Sequence, residues 1–337
     1  MLDLRTLQKY DVNKMHEIYD KWPEISKESY EINHKQIDFK NIDNIVFAGM
    51  GGSGTIGDIL SSILSKSKIH VQVVKGYVLP NTVNSNTLVV TTSVSGNTLE
   101  TLSVLKSAKK KQTKIIAFSS GGKMLKFCKN NKIEHRKISQ VHSPRASLTT
   151  FLYSILKVLE PVLPIEKYEI VESIKHLERL RKIISSSNLD SSNTSISLAE
   201  YITDIPLIYY PYGLQAAAIR FKNSLQENAK VHAVAEDVIE SSHNGIVAWE
   251  KPSKVKPILI QGQDDHVNTK ERWKILKEYF EENNIEYKEV YSVKGSIFSK
   301  IINLIYLLDY TTIYLAIMSK MDPSPVRSID FMKNKLK

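Results

Sequence analysis

The stretch from Asn44 to Leu60, Asn-Ile-Val-Phe-Ala-Gly-Met-Gly-Gly-Ser-Gly-Thr-Ile-Gly-Asp-Ile-Leu, limits what this chain can become more than any other. Its apolar, β-branched and aromatic opening predicts a buried strand. Gly49, Gly51, Gly52 and Gly54 then predict a loop, and the periodic apolar residues after them a helix. A strand that turns through glycines into a helix is an anion site. Glycine lets the backbone come close to an oxyanion, the first N–H groups of the helix have no partner inside it, and the helix dipole favours negative charge there.

Gly49-Met50-Gly51-Gly52-Ser53-Gly54 also has the spacing of a dinucleotide fingerprint, but the acidic residue expected at the end of the second strand is missing from Ile69-His70-Val71-Gln72-Val73-Val74-Lys75. No Gly-Lys-Ser/Thr follows the glycines, which argues against a nucleoside triphosphate loop. A second corner decides the matter. Leu88-Val89-Val90-Thr91-Thr92 reads as a strand, Ser93-Val94-Ser95-Gly96-Asn97-Thr98 as a loop, and Leu99-Glu100-Thr101-Leu102 as the start of a helix. Two such corners can converge on one phosphate and donate hydroxyl and amide hydrogen bonds to its oxygens.

The chain has 337 residues, 42% of them hydrophobic, enough for about two domains with a core each. No stretch is read as a membrane span, and the segment from Leu2 to Arg5 lacks an apolar signal region, so the cytoplasm is the expected compartment. Cys128 is the sole cysteine, which excludes an internal disulfide and a thiolate metal cluster. The nine histidines show no paired ligand spacing, and no metal is expected. A net charge of +10 raises the question of nucleic acid. The lysines between Lys106 and Lys137 are broken by a strand-like Lys114-Ile115-Ile116-Ala117-Phe118 and lack interleaved aromatic residues, so they read as a solvated helix face.

Short β-type runs at Ile45–Ala48, His70–Val74, Leu88–Thr92, Ile115–Phe118 and Ile133–His135 alternate with helical intervals. This predicts an α/β fold, a parallel sheet covered by helices on both faces, with ligands bound beyond the carboxyl ends of the strands. An amphipathic pattern from Val12 to Ile25 predicts a helix laid over the first domain. Helical segments follow from Leu152 to Glu160 and from Lys167 to Ser185, and the polar run from Ser185 to Ser195 is the expected junction, giving domains 1–185 and 186–337. The second half repeats the first in altered form. Pro206-Leu207-Ile208-Tyr209-Tyr210 and Pro257-Ile258-Leu259-Ile260-Gln261 are strands, each followed by a loop and a helix. The loop Gly262-Gln263-Asp264-Asp265-His266-Val267-Asn268-Thr269 has acid where its counterpart has serine and glycine, so phosphate is not expected there. One clamp and one altered copy imply a site between the domains.

Two segments of the second half carry candidate chemistry. In Arg220-Phe221-Lys222-Asn223-Ser224-Leu225-Gln226-Glu227-Asn228-Ala229-Lys230, Glu227 stands where an apolar helix becomes polar, a place for a ligand-reaching carboxylate or for a solvated one. In Ser241-Ser242-His243-Asn244-Gly245, the His-Asn pair fits either a functional imidazole or a helix cap.

The hexapeptide from Ser93 to Thr98 resembles the phosphate clamp of the sugar isomerase (SIS) domain, found in phosphoglucose isomerases, glucosamine-phosphate synthases and sugar-phosphate-sensing regulators. Glu227 lies 16 residues before His243, and this pairing, with the glycine loop and Pro144-Arg145-Ala146, is similar to the bifunctional phosphoglucose/phosphomannose isomerases. So is the ending Asp309-Tyr310, Tyr314-Leu315-Ala316, Asp322-Pro323, Pro325-Val326 and Ile329-Asp330 before Lys333. The resemblance implies two SIS-type domains of flavodoxin-like or Rossmann-like build. It implies that Gly52, Ser53, Ser93, Ser95 and Thr98 hold the substrate phosphate of hexose 6-phosphates. Glu227 then matches the general base of a cis-enediol mechanism, Arg145 the positive charge beside the enediolate, and His243 the residue that opens the sugar ring. Lys333 matches a helper in ring opening. In relatives the histidine comes from a neighbouring subunit, so a homodimer is implied; no cofactor is needed, and neither nucleic acid nor membrane is an expected partner. Gly245 stands where relatives commonly carry Glu, Val231-His232-Ala233 replaces a segment that usually has Pro, and Ser324 stands where Thr is frequent. These departures bear on the balance between the two epimers. The competing reading is a sugar-phosphate sensor that keeps the clamp and lacks the base, although no helix-turn-helix precedes Asn44. An aminotransferring synthase would need a glutaminase domain with its cysteine nucleophile, and a dinucleotide-dependent dehydrogenase is a minor third option.

Overall fold

The computed structural model describes residues 2–336. They form two compact units, one of residues 21–175 and one that joins the residues up to Asp20 to those from His176 onward. The division falls inside the helix Lys167–Ile184, ahead of the polar run at 185–195.

In the unit of residues 21–175, five strands form one wholly parallel sheet: β1 (Asn44–Ala48), β2 (His70–Val74), β3 (Thr87–Thr92), β4 (Lys114–Ser119) and β5 (Glu134–Lys137). Their order is β2-β1-β3-β4-β5. Every residue of β1 and β3 is buried, as their unbroken apolar and β-branched sequences require of central strands covered on both faces. Val46 and Val89 pair in register and pack with Leu105, Ile115 and Met124 on one face. Each such fully buried side chain contributes about 1.5–3 kcal/mol. Cys128 belongs to this cluster, and burial pushes its thiol up to about 11, which keeps it unreactive. The chain runs from β1 outward to β2 and then crosses to β3 on the other side, so the strand order reverses between β1 and β3. Loops after two strands that diverge in this way leave a crevice between them, the usual ligand position in open α/β sheets.

The second unit has four parallel strands, β6 (Pro206–Tyr210), β7 (Val234–Asp237), β8 (Lys256–Gln261) and β9 (Lys288–Tyr291), in the order β7-β6-β8-β9. This is the order β2-β1-β3-β4 again, so the two halves share one plan at the level of topology.

Two sequence expectations need correction. The pattern from Val12 to Ile25 is not one helix over the first sheet. It is split between Met15–Asp20, which belongs with the second unit, and Trp22–Glu31, which packs on the helix Leu148–Val158 of the first. Polar tips decide this, and a periodicity of apolar residues does not register them. The Tyr306 hydroxyl donates to Tyr19 O at 2.7 Å, and Tyr19 in turn donates to Asp309 at 3.0 Å. The second correction concerns Ile297–Met318, a 22-residue helix long and apolar enough to cross a membrane. Its most apolar window is 89% buried within the protein, so its hydrophobicity is that of a core helix.

Candidate active site

The glycine loop after β1 and the hydroxyl loop after β3 both open at the carboxyl edge of the sheet where strand order reverses. They are tied together, since Val94 N donates to Ser53 Oγ across the crevice at 3.4 Å. Each serine of the clamp accepts a backbone N–H. Ser93 Oγ takes that of Gly96 at 3.1 Å and Ser95 Oγ that of Asn97 at 3.2 Å. An oxygen that accepts from the backbone has its own proton left to donate, so the hydroxyls of Ser53 and Ser95 are preset as donors to an outside oxyanion. Ser93 and Thr98 share one hydrogen at 2.9 Å, which leaves the other for the same purpose. Gly52 opens the helix Gly52–Leu64 and Thr98 precedes the helix Leu99–Lys110; neither helix start is capped by a side chain. Two uncapped N-termini beside preset hydroxyls have the donor chemistry to hold an oxyanion.

A third loop, which sequence reasoning did not single out, supports this seat. Ser119-Ser120-Gly121-Gly122 follows β4, and Ser120 donates to Val94 O through both N (2.9 Å) and Oγ (2.7 Å). Asn97 Oδ1 accepts from Lys123 N at 3.0 Å, so the clamp loop caps the helix Gly122–Asn130, and Asn97 Nδ2 returns to Ser95 O at 3.1 Å. Behind them Ser119 Oγ donates to Gly121 O at 2.9 Å and so accepts from His135 Nε2 at 2.8 Å. Burial, with Arg136 and Lys129 nearby, pulls His135 down to about 4, which keeps the ring neutral at ordinary pH. The run of hydroxyl and glycine residues at the end of a strand was the available signal.

Gly96 is the point of closest approach between these loops. Its φ is +69°, and a Cβ there would lie 1.9 Å from Gly121 O. Gly96→Ala is expected to deform the clamp and to weaken its hold on a phosphate ester by about tenfold or more, corresponding to at least ~1.4 kcal/mol of lost binding. Calorimetric titration of the variant beside the wild type checks this.

Arg145 also belongs to this unit, in the turn between β5 and the helix Leu148–Val158, with only 5% of its surface exposed. Ser147 holds the turn, accepting from Val141 N at 2.9 Å, and Trp22 Nε1 donates to Ala146 O at 3.2 Å.

Glu227, His243 and Lys333 lie in the other unit. The helix Gln215–Ser224 runs directly into a π-helical turn, Leu225–Ala229, which Lys230 ends with φ +58°. Glu227 is half-buried at the centre of this turn. Wider turns of this kind re-aim a side chain and frequently mark functional positions. Buried anchors fix it: Ser224 Oγ donates to Asp309 Oδ1 at 2.7 Å, and Asn228 Nδ2 to Thr312 Oγ1 at 2.8 Å. Lys230 Nζ gathers the carbonyls of Glu227 (2.7 Å), Asn228 (3.1 Å) and Pro323 (3.3 Å). Beneath the turn the Arg220 guanidinium meets Asp309, Nη2 to Oδ2 at 2.6 Å, with both side chains almost wholly buried. Burial alone would lower the Arg220 pKa. The Asp309 carboxylate, with Tyr19 and Glu227, more than reverses this and holds the guanidinium charged.

His243 is exposed, just after the short helix Val238–Ser241 that Asp237 caps through Ile239 N (2.8 Å) and Glu240 N (3.2 Å). Asn244 plays the capping part that the sequence left open, accepting from Gly245 N at 2.5 Å. Lys333 stands in the last turn of the exposed helix Arg327–Lys335, none of whose residues is buried. In the altered loop after β8, Asp265 Oδ2 accepts from Gly262 N at 2.9 Å and from Trp273 Nε1 at 3.2 Å. The carboxylate is thus turned onto its own loop, and His266 caps the helix Val267–Glu282 by accepting from Asn268 N at 3.2 Å.

A sheet of this order with a hydroxyl clamp at its reversal defines a phosphosugar-binding protein of the SIS class. The SIS domain family matches residues 38–155, and the bacterial phospho-glucose isomerase C-terminal SIS domain matches residues 191–336. A bifunctional phosphoglucose/phosphomannose isomerase of Caldicellulosiruptor bescii is 34% identical over 93% of this chain and 96% of its own length. One from Aquifex aeolicus is 29% identical over 87% of this chain and 90% of its own. Among solved structures, the C-terminal domain of glucosamine-fructose-6-phosphate aminotransferase from Francisella tularensis superposes with a TM-score of 0.69 at 16% identity. That match covers 93% of this chain and 98% of the other, and shows the shared fold. The chain belongs to the bifunctional phosphoglucose/phosphomannose isomerase family.

Proposed function

We propose that this protein is an aldose–ketose isomerase that interconverts glucose 6-phosphate and mannose 6-phosphate with fructose 6-phosphate. The observation that carries the reading is the clamp, whose hydroxyl protons are held ready for a phosphate by backbone N–H groups donating to their oxygens. Family membership supplies the reaction.

In this reading Gly52, Ser53, Ser93, Ser95 and Thr98 hold the phosphate, far along the sugar from the reacting carbons, and so set its register. His243 donates a proton to the ring oxygen, assisted by Lys333, as the bond from C1 to that oxygen breaks and the C1 hydroxyl gives its proton to solvent, leaving the open-chain aldehyde. Glu227 then takes the proton from C2 of the open-chain aldose and returns it to C1, while the hydroxyl proton on O2 is exchanged for one on O1. The cis-enediol between these transfers has no stereocentre at C2, so return to C2 from either face accounts for both epimers. Arg145 favours the enediolate over the neutral substrate by opposing its charge. A second copy of the chain is the proposed partner, and the cytoplasm, where hexose phosphates are made and consumed, the proposed compartment.

The test is isomerisation of fructose 6-phosphate by the purified protein with EDTA present, assaying the two aldose products separately. Both products are expected. Glucose 6-phosphate alone would keep the mechanism and remove the mannose activity. Tight binding of fructose 6-phosphate without turnover would sink the enzyme reading and leave a sugar-phosphate sensor.

A further inference from the structure

The last carbonyls of a helix have no partner inside it. At the end of the π turn that carries Glu227, the backbone N–H of Lys230 turns back to Leu225 O, and its ammonium donates to Glu227 O at 2.7 Å and to Asn228 O at 3.1 Å. A lysine often compensates a helix end in this way. The same ammonium, however, also donates to Asp322 O at 3.4 Å and to Pro323 O at 3.3 Å, 92 and 93 residues further along the chain. It has three N–H groups and no acceptor, so the four carbonyl oxygens share them. Main-chain carbonyls gathered in this way are also the donor set that takes the place of water around a small monovalent cation.

The two distant carbonyls stand at a junction. Asp322 and Pro323 follow the helix Ile297–Met318, whose Asp309 and Thr312 anchor the base turn, and they precede the helix Arg327–Lys335 that bears Lys333. Their own backbone is held in place: Asp322 Oδ1 accepts from Ser324 N at 2.8 Å and Oδ2 from Asn13 Nδ2 at 3.2 Å, and Pro323 is buried. Lys230 grips Glu227 by its main-chain carbonyl and so fixes the point from which the carboxylate side chain extends.

We propose that Lys230 is a positioning residue of the isomerase, its ammonium serving as a built-in monovalent cation that sets the base turn at Glu227 against the segment leading to Lys333. The inference rests on the roles given to Glu227 and Lys333 above. Capping alone would be served by another residue, since Lys230 has φ +58°, a conformation in which glycine is the favoured end to a helix.

Lys230→Gly separates positioning from capping. Glycine suits the backbone there, so the variant is expected to unfold near the wild-type midpoint in urea. Its affinity for fructose 6-phosphate, measured by calorimetry, is expected to be unchanged, because the clamp belongs to the other unit. The kcat is expected to fall roughly tenfold to a hundredfold, the loss that follows from displacing a catalytic group by about 1 Å. Ammonium chloride is expected to restore most of this loss by filling the vacated cage, with the wild type indifferent to the salt. Tetramethylammonium chloride at the same ionic strength has no N–H to donate and is expected to restore none. Lys230→Met keeps the stem without the charge, and is expected to lose as much kcat and to ignore ammonium because its side chain keeps the space filled. If Lys230→Gly or Lys230→Met keeps the wild-type kcat, or if the glycine variant recovers in neither salt or equally in both, this inference is overturned and the isomerase reading stands. A wild type that turns over no fructose 6-phosphate overturns both.

Discussion

Glu227→Gln leaves a protein that folds, binds fructose 6-phosphate and does not isomerise it. Removal of a general base lowers kcat by roughly 10²–10⁴-fold, and glutamine keeps the volume and much of the hydrogen bonding of glutamate at the centre of the π turn. Ser224 is anchored by Asp309 and Asn228 by Thr312, and Lys230 holds the Glu227 main-chain carbonyl. Binding and thermal stability are therefore expected to stay near the wild type. Isotope wash-in gives the sharper readout: in deuterated water the wild type incorporates solvent deuterium into product carbon, and the variant does not. A variant that keeps more than about a tenth of wild-type kcat, a loss of under ~1.4 kcal/mol, would remove Glu227 as the base.

Asp309→Ala is expected to have the largest effect on stability, about 3–5 kcal/mol, because it strands a buried guanidinium without its counter-charge. Asp309 accepts from Arg220, Ser224 and Tyr19 together, so the substitution unties the helix Gln215–Ser224, the helix Ile297–Met318 and the helix Met15–Asp20 from one another. The double variant Arg220→Met with Asp309→Leu removes both charges and is expected to unfold within ~1–2 kcal/mol of the wild type, since an apolar pair of similar volume escapes the desolvation cost of buried ions. Urea midpoints for the single and double variants check this. Equal losses in both would show that packing, rather than the stranded charge, sets the cost. Arg220 also feels Glu227, so a double variant of near-normal stability with reduced turnover would tie the buried pair to the reaction.

The central strands were readable from the sequence because their signal is local, whereas the edge strands Val234–Asp237 and Lys288–Tyr291 were not singled out. Ile45 to Ala48 and Leu88 to Thr92 are short β-branched runs ended by glycine or serine, and each became a buried central strand. The two loops at the carboxyl edge were readable for the same reason, since their position follows from strand order. What escaped notice depends on contacts between distant residues. The support that Asn97 gives to the helix Gly122–Asn130, and the link from Ser119 to His135, join loops after different strands. The assignment of Met15–Asp20 to the second unit depends on tyrosine hydroxyls of a helix almost at the other end of the chain. The π turn at Glu227 has no sequence signature: the change from apolar to polar residues there reads as a helix end, and the partners Asp309 and Thr312 that anchor Ser224 and Asn228 come from the distant helix Ile297–Met318. Gly262 to Asp265 was read as unsuited to phosphate from charge alone, and the structure supplies the geometry, with the acid turned inward onto its own loop.

That inward-turned Asp265 bears on how many substrate molecules one polypeptide can take. Doubling an α/β plan ordinarily doubles its ligand seats, and a chain with two open seats would titrate at two equivalents and accept a sugar phosphorylated at both ends. Here the two plans differ at that loop, where the Asp265 carboxylate folds back onto Gly262 N and sets a negative charge against any second anion. One phosphosugar for each polypeptide is the expected stoichiometry, and calorimetric titration with fructose 6-phosphate checks it.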